Sequence, residues 1–237
     1  MAVKIITLDL DGTLMSPDHL TVSQENKDAL RAAHEKGVKI AVATGRTLAI
    51  MGDVCTQVPQ VDYIIHSNGA GVVDRKTGER LYSNLMSWDF SEKIIDFLNT
   101  KPCFYELYVD GKSYVQEDRA PYFITDVLPK EFIDALMDRM EVCTDAKAAI
   151  FGKDVEKHAV LIVGDGLVYA AVLIRLRRED VPVPALDKSA HTVIRAEREE
   201  LFLKLVVVLK AVVPSGGVEY PVADIHHVKQ TPEFLFA

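Results

Sequence analysis

Cysteine is scarce: three residues in 237, at Cys55, Cys103 and Cys143. They are far apart, odd in number and without a neighbouring metal-ligand pattern. That excludes a disulfide framework and leaves free thiols in a reducing compartment. A basic excess is also missing. The formal net charge is −8, so the electrostatic footprint of a nucleic-acid binder is absent. Long apolar runs are missing too. A membrane span needs roughly 20 apolar residues, and the longest candidate, Leu201 to Val213, is broken by Lys204 and Lys210. The first residues form a strand-like run, unlike a signal peptide. No internal repeat or low-complexity block stands out. These absences predict a cytoplasmic protein, monomeric or a small homo-oligomer, with no nucleic-acid and no membrane partner.

What is present is an ordinary globular composition, 49% hydrophobic and 26% charged, in a chain long enough for a core domain and an insert. Val3 to Leu8 is a short apolar run that suits a buried parallel strand. Thr21, with Gln24 three residues on, could open a helix as a capping box, and Gly37 could close it. Val38 to Ala43 and Tyr63 to Ile65 read as further buried strands, with a helix between them reaching about Gln57. This alternation predicts βαβ units and a parallel sheet. The pattern then changes. Hairpins are expected around Lys76-Thr77-Gly78 and Asp110-Gly111, and helices over Trp88–Leu98, with Ser87 as cap, and Lys130–Met140. Residues 83–157 therefore read as an inserted α+β module. Ala159 to Val163 returns to the buried-strand style, and Glu197 to Val213 looks helical despite its valine run.

Chemistry concentrates where the first three strands end. Asp9-Leu10-Asp11-Gly12-Thr13-Leu14 follows the first strand directly. Two carboxylates two residues apart at a strand's carboxyl end can reach one site. Asp9 could attack phosphorus, and Asp11 could give and take the proton of the leaving group and of water. Crowded carboxylates invite a hard divalent cation such as Mg²⁺. Taken alone, the same residues could be an acidic turn serving backbone geometry. Thr44, in Thr44-Gly45-Arg46, ends the second strand, and its hydroxyl could hold a phosphoryl group or cap a helix. Ser67-Asn68-Gly69 ends the third, either beside a ligand or as a glycine turn.

With those three segments in order, the chain resembles the haloacid dehalogenase (HAD) superfamily, and its inserted module resembles the α+β cap of the Cof-type subgroup, also called subfamily IIB. Asp9 to Leu14 matches the first family motif and Thr44 the second. Asn68 and Gly69 match the segment that many Cof-type members place beside substrate. The resemblance implies an α/β fold: a Rossmann-like core with a parallel sheet, formed by 1–82 and 158–237, and a cap domain at 83–157. It also implies a Mg²⁺-dependent phosphatase of sugar phosphates or other small phosphorylated metabolites, working through an aspartyl-phosphate. Asp9 and Asp11 are then catalytic. Thr44, Gly45, Arg46, Asn68, Gly69 and Lys157 hold phosphate or substrate, and Asp9, Asp11 and Asp165 hold the metal.

The likeness covers about residues 1–157 and weakens beyond them. The family's fourth motif is often Gly-Asp-X-X-Asn-Asp, but here Gly164-Asp165-Gly166-Leu167-Val168-Tyr169 stands in its place, and no asparagine follows Asn99. Lys157 precedes Asp165 by only eight residues, where the family usually inserts a helix. Lys153, Lys188 and Lys204 match the third-motif lysine less well. Asp187 and Asp224 are weaker alternatives for the missing acid, and His226-His227 suits a solvated pair better than a metal site. Two readings remain open: an eroded fourth motif with Asp165 as ligand, or a fortuitous turn in an atypical tail. The second allows a HAD-derived binding or regulatory protein with weak or no catalysis.

Overall fold

The computed structural model describes residues 3–123, 129–164, 167–173, 175–176, 192–194, 204–205 and 207–212. The amino-terminal layer alternates strand and helix: β1 (Ile5–Asp9), α1 (Gln24–Glu35), β2 (Lys39–Ala43), α2 (Gly52–Gln57) and β3 (Val61–His66). β1 pairs parallel with β2, and β2 parallel with β3. A hairpin of β4 (Gly71–Asp74) and β5 (Arg80–Ser83) then adds to β3 antiparallel, so the sheet order is β1-β2-β3-β4-β5. The expected parallel sheet is therefore a mixed one. Its core is Leu10, Leu30, Ile40, Val42, Met51, Val54, Val58 and their neighbours.

Three local expectations need correction. β1 is an edge among the described residues, and its burial alternates between exposed and half-buried instead of being continuous. Ser23, not Thr21, caps α1: its Oγ accepts from the Asn26 N–H at 3.2 Å. Asp18 has taken both the hydroxyl and the main-chain N–H of Thr21 into a turn, and side chains of this type compete with helix starts. The helix expected up to Gln57 is split into a single turn, Leu48–Ile50, and α2. Gly52 sits at the break, where it disfavours continuation.

The second layer starts at α3 (Trp88–Asn99), capped in position by Ser87, and continues with β6 (Cys103–Val109), β7 (Lys112–Gln116), α4 (Lys130–Met137), β8 (Met140–Cys143) and α5 (Ala146–Ala149). α4 is shorter than expected because the chain turns at Asp138 and enters β8, which pairs parallel with β7. β9 (Lys157–Gly164) corrects a larger expectation. It does not run parallel to β1 in the first sheet. It pairs antiparallel with β6 on one side and with β10 (Leu167–Leu173) on the other. Short strands β11 (Arg175–Leu176), β12 (Thr192–Ile194), β13 (Lys204–Leu205) and β14 (Val207–Val212) follow, and the second sheet has the order β12-β14-β10-β9-β6-β7-β8. The helix expected over Glu197–Val213 is thus replaced by strand wherever the chain is described. β-branched valines are stiff and fit pleated backbone better than helix. Among the described residues no helix is long and apolar enough to cross a membrane. Cys55, Cys103 and Cys143 are all free thiols.

The two layers are joined by two crossing segments that clasp each other. Met86 and Val155 exchange both main-chain hydrogen bonds at 2.8 Å. Both residues are fully buried.

One face of β6 and β9 packs on α3 and α5 through Tyr105, Leu107, Val160, Ile95 and Ile150. His158 lies directly opposite Leu107, so it shares this apolar face. It is fully buried, and neither ring nitrogen has a partner. Burial brings its pKa down to about 3. The folded value lies below the unfolded value of about 6.5, so unfolded chains bind more protons as pH falls. Stability is complete above about pH 6.5 and should drop by about 3 kcal/mol between pH 6.5 and 4 from this group alone. His158→Leu is expected to raise stability at pH 7 by about 1–2 kcal/mol and to flatten that slope. Thermal melts of both proteins across this range check it, and a variant that melts lower with an unchanged slope would refute it.

Candidate active site

The three loops that leave β1, β2 and β3 meet at one edge of the first sheet. Asp9 closes β1, with Ala43 as its Cα partner on β2, and is exposed. Gly12 permits the wide turn that follows, at φ +79°. Asp11 projects from that turn, half-buried. Its carboxylate is gripped from two sides. Arg46 donates from Nε to Oδ2 at 3.0 Å and from Nη2 to Oδ1 at 2.5 Å, and the His19 ring meets Oδ1 through Nδ1 at 2.7 Å. Burial alone would raise the Asp11 carboxyl, but the hydrogen bonds and charges of Arg46 and His19 outweigh it and hold the group below the ordinary carboxylate value. Arg46 is itself 7% exposed, so it is a buried arginine and not a solvated surface one.

Thr44 is buried at the end of β2. Its Oγ accepts from the Arg46 N–H at 3.1 Å, and its carbonyl accepts from the Asn68 N–H at 3.0 Å. Ser67 N–H donates to the Arg46 carbonyl at 2.9 Å. The loops after β2 and β3 are therefore stitched into one surface. Ser67, Asn68 and Gly69 have φ of +52°, +58° and +89°. Left-handed backbone at a non-glycine residue costs on the order of 1 kcal/mol, and such strain persists only where surrounding contacts over-determine it. Lys157 supplies one of those contacts and ties the loop to the one after β2. Its Nζ donates to the Gly45 carbonyl at 2.7 Å and to Asn68 Oδ1 at 3.1 Å, while lying 4.0 Å from the centre of the Tyr108 ring. Burial brings the Lys157 pKa down to about 8, with Glu106 and Glu156 opposing the shift, so the amine is still mostly charged at pH 7.

The second layer covers this edge. Phe132 on α4 lies 4.8 Å from the Arg46 guanidinium carbon and stacks on His19 with ring centres 5.1 Å apart. Arg139, just past α4, donates to the Ala49 carbonyl and to Asp53 Oδ2, both at 3.0 Å. The small cleft between these elements is lined by His19, Arg46, Ile50, Asp53, Phe132 and Arg139, among others.

Thus Asp11, Thr44, Gly45, Arg46, Asn68, Gly69 and Lys157 are brought together at the edge where Asp9 ends its strand. Asp165 lies outside the described residues, as do Asp187, Lys188, Asp224, His226 and His227. Among the described residues no three His, Cys, Asp or Glu side chains form a metal-holding group. Sequence reasoning missed His19, Phe132 and Glu156. His19 sits on the Pro17-Asp18 turn, directly after the acidic motif, and its neighbourhood to Asp11 was the available signal. Phe132 carried none, because His19 and Arg46, which it packs against, are distant from it in sequence.

Residues 6–163 match the family description of haloacid dehalogenase-like hydrolases. The chain belongs to that family, in its Cof-like group. This HAD chain is 33% identical over 98 residues to the 5-amino-6-(5-phospho-D-ribitylamino)uracil phosphatase YcsE of Bacillus subtilis, covering 38% of its own length and 39% of the relative. It is 27% identical over 137 residues to the phosphatase YwpJ of the same organism, covering 58% of itself and 44% of YwpJ. It therefore spans less than half the length of either relative. A haloacid dehalogenase-like hydrolase structure from B. subtilis superposes with a TM-score of 0.58 at 21% identity, covering 69% of this chain and 63% of that one. That likeness establishes the HAD fold.

Proposed function

We propose that this HAD chain is a cytoplasmic phosphomonoesterase for small phosphorylated metabolites, sugar phosphates or similar compounds, with the module within 83–157 serving as a cap over the core layer of 1–82. The observation that carries the reading is the convergence of Asp11, Thr44, Asn68 and Lys157 at the strand end that bears Asp9. Phosphorylated substrates are also what the names of the phosphatases YcsE and YwpJ point to.

The chemistry follows from the positions. Asp9 is exposed and free to attack, so one of its carboxylate oxygens bonds to phosphorus as the bond from phosphorus to the leaving oxygen breaks. Asp11 delivers a proton to that oxygen. Water then attacks phosphorus, Asp11 takes its proton, the bond to Asp9 breaks and inorganic phosphate leaves. Lys157, Arg46, the Thr44 hydroxyl and main-chain N–H groups hold the phosphoryl oxygens. Transfer of this kind depends mainly on placement and charge. Asp9 and Asp11 are hard oxygen donors of the type Mg²⁺ prefers, and Asp165 is the proposed third ligand. Bound there, the cation would neutralise phosphoryl charge. The described residues do not complete such a site by themselves.

A second reading is favoured by one observation. β9, the strand that leads to Asp165, belongs to the second sheet and not to the sheet of β1. If Asp165 does not reach Asp9, the protein is a HAD-derived binding or regulatory protein with weak or no turnover. Release of phosphate from a panel of sugar phosphates and from p-nitrophenyl phosphate, with Mg²⁺ and with chelator, separates the two. The phosphatase reading expects turnover that chelator removes and that Asp165→Ala lowers. No turnover on any substrate at saturating Mg²⁺ would leave the second reading standing.

A further inference from the structure

Glu156 is 1% exposed, yet the chemistry above does not use it. Its carboxylate is the meeting point of three other segments. Oε2 accepts from the Ser67 hydroxyl at 2.8 Å, and Oε1 accepts from the Gly111 main-chain N–H at 3.0 Å. Arg80 Nη2 on β5 approaches Oε1 at 3.3 Å, and His66 Nδ1 approaches Oε2 at 3.4 Å. Burial would raise the Glu156 carboxyl, but the bonds and charge of His66, with those of Ser67 and Gly111, hold it below the ordinary range. It is a buried carboxylate that is well supplied with donors, the condition under which a buried charge is tolerated.

The three segments belong to different parts of the molecule. His66 and Ser67 open the strained loop after β3. Gly111 is the tip of the β6–β7 hairpin in the second layer. That tip also docks on the first layer, where the Gly111 carbonyl accepts from Ala49 N–H at 2.9 Å. The fit is close: a Cβ at Gly111 would lie 3.1 Å from Leu48 Cβ and Cδ1. The His66 ring fills the space that the missing Cβ of Gly71 leaves open, since a Cβ there would collide with it. The residue after Glu156 is Lys157, which holds the same loop from its other flank through Asn68.

We infer that Glu156 is a positioning residue that transmits the docked state of the cap hairpin at Gly111 to the left-handed loop Ser67–Gly69. The loop keeps its strained backbone because Glu156 fixes Ser67 while Lys157 fixes Asn68. When the hairpin lifts away, Glu156 loses one of its two close donors and its grip on Ser67 slackens. Substrate affinity thereby depends on cap closure. Only this last step rests on the phosphatase reading.

The test uses the full chain as wild type, Glu156→Ala, Glu156→Gln, Gly111→Ala and the double variant Glu156→Ala/Gly111→Ala. Amide hydrogen exchange is read at Ser67 and Asn68, whose N–H groups donate to Arg46 and Thr44 carbonyls. Exchange at these two amides should rise about tenfold in Glu156→Ala and less in Glu156→Gln, which keeps one acceptor oxygen. Gly111→Ala should give a partial rise that adds nothing in the double variant, the non-additivity expected of a shared network. With p-nitrophenyl phosphate and Mg²⁺, KM should rise about tenfold while kcat changes less, because the loop holds phosphate in ground and transition states alike. Unchanged exchange at Ser67 and Asn68 overturns the inference. So does a rise spread evenly through the α3–β6 core, since that is general loosening. If Glu156→Ala does not fold, Glu156→Gln and Gly111→Ala carry the same comparison. A wild type without turnover refutes the phosphatase reading, and the exchange data still decide the coupling.

Discussion

Asp9→Asn should lower phosphatase turnover by at least ~10⁴-fold while moving the melting temperature by no more than about 3 °C. The first half follows from chemistry. The amide nearly matches the carboxylate in shape but offers no anionic oxygen to phosphorus, so the covalent step has no nucleophile. The second half follows from structure. Asp9 is exposed at the end of an edge strand, and no hydrogen bond or ion pair to its carboxylate is present among the described residues. The neighbouring scaffold does not depend on its charge. Leu10 is fully buried beside it and anchors the turn, so the position of residue 9 should survive the change. Rates with p-nitrophenyl phosphate and Mg²⁺ measure the loss. Acid-quenched wild type should carry phosphate on the peptide containing Asp9, and the variant should carry none. A purified variant with a near-wild-type rate removes Asp9 from the nucleophile role.

The site was legible in the sequence where it is built from strand ends. Asp9, Thr44 and Asn68 each follow an apolar run within a few residues, and parallel neighbours in a sheet bring such ends together. The fold was less legible where one residue pattern suits two partners. Ala159–Val163 is an apolar run that fits a core strand of either sheet, and hydrophobicity alone does not say which. What decides is pairing: Lys157 opposite Tyr108 and Ala159 opposite Glu106 place β9 beside β6. The valines of Val207–Val212 favoured strand, yet the helical spacing of residues around them pointed the other way. His19, Phe132 and Glu156 act through tertiary contacts to Asp11, Arg46 and Ser67, and only Asp11 is close in sequence to its partner. A buried Glu156 also contradicts the usual expectation for a glutamate, and nothing short of its four surrounding donors would reveal it. Asp165, the proposed third metal ligand, lies outside the described residues.

Asp11→Asn should cut turnover by about 10²–10⁴-fold on alkyl phosphates, the range general acid–base help supplies, and much less on p-nitrophenyl phosphate. A nitrophenolate leaves without a proton, whereas a sugar alkoxide does not. The structure adds a condition to this role. Asp11 is held as a carboxylate by a bidentate Arg46 and by His19, and a carboxylate so paired is a poor acid. For Asp11 to carry a proton, Arg46 must find another anion. The phosphoryl oxygens of the substrate are that anion, because a guanidinium fork matches phosphate as well as carboxylate. Substrate entry is therefore expected to move Arg46 from Asp11 to phosphate, raising the affinity of Asp11 for a proton at the moment the leaving oxygen needs one. Phe132 packs against both Arg46 and His19 at this point. Arg46→Ala should then raise KM strongly and leave Asp11 more readily protonated, so the loss in kcat on alkyl phosphates should be smaller than in Asp11→Asn. Rates for both variants across a series of leaving groups test the scheme. Equal loss in Asp11→Asn on alkyl and nitrophenyl esters would show that Asp11 does not act as the acid, and the exchange of Arg46 between anions would lose its purpose.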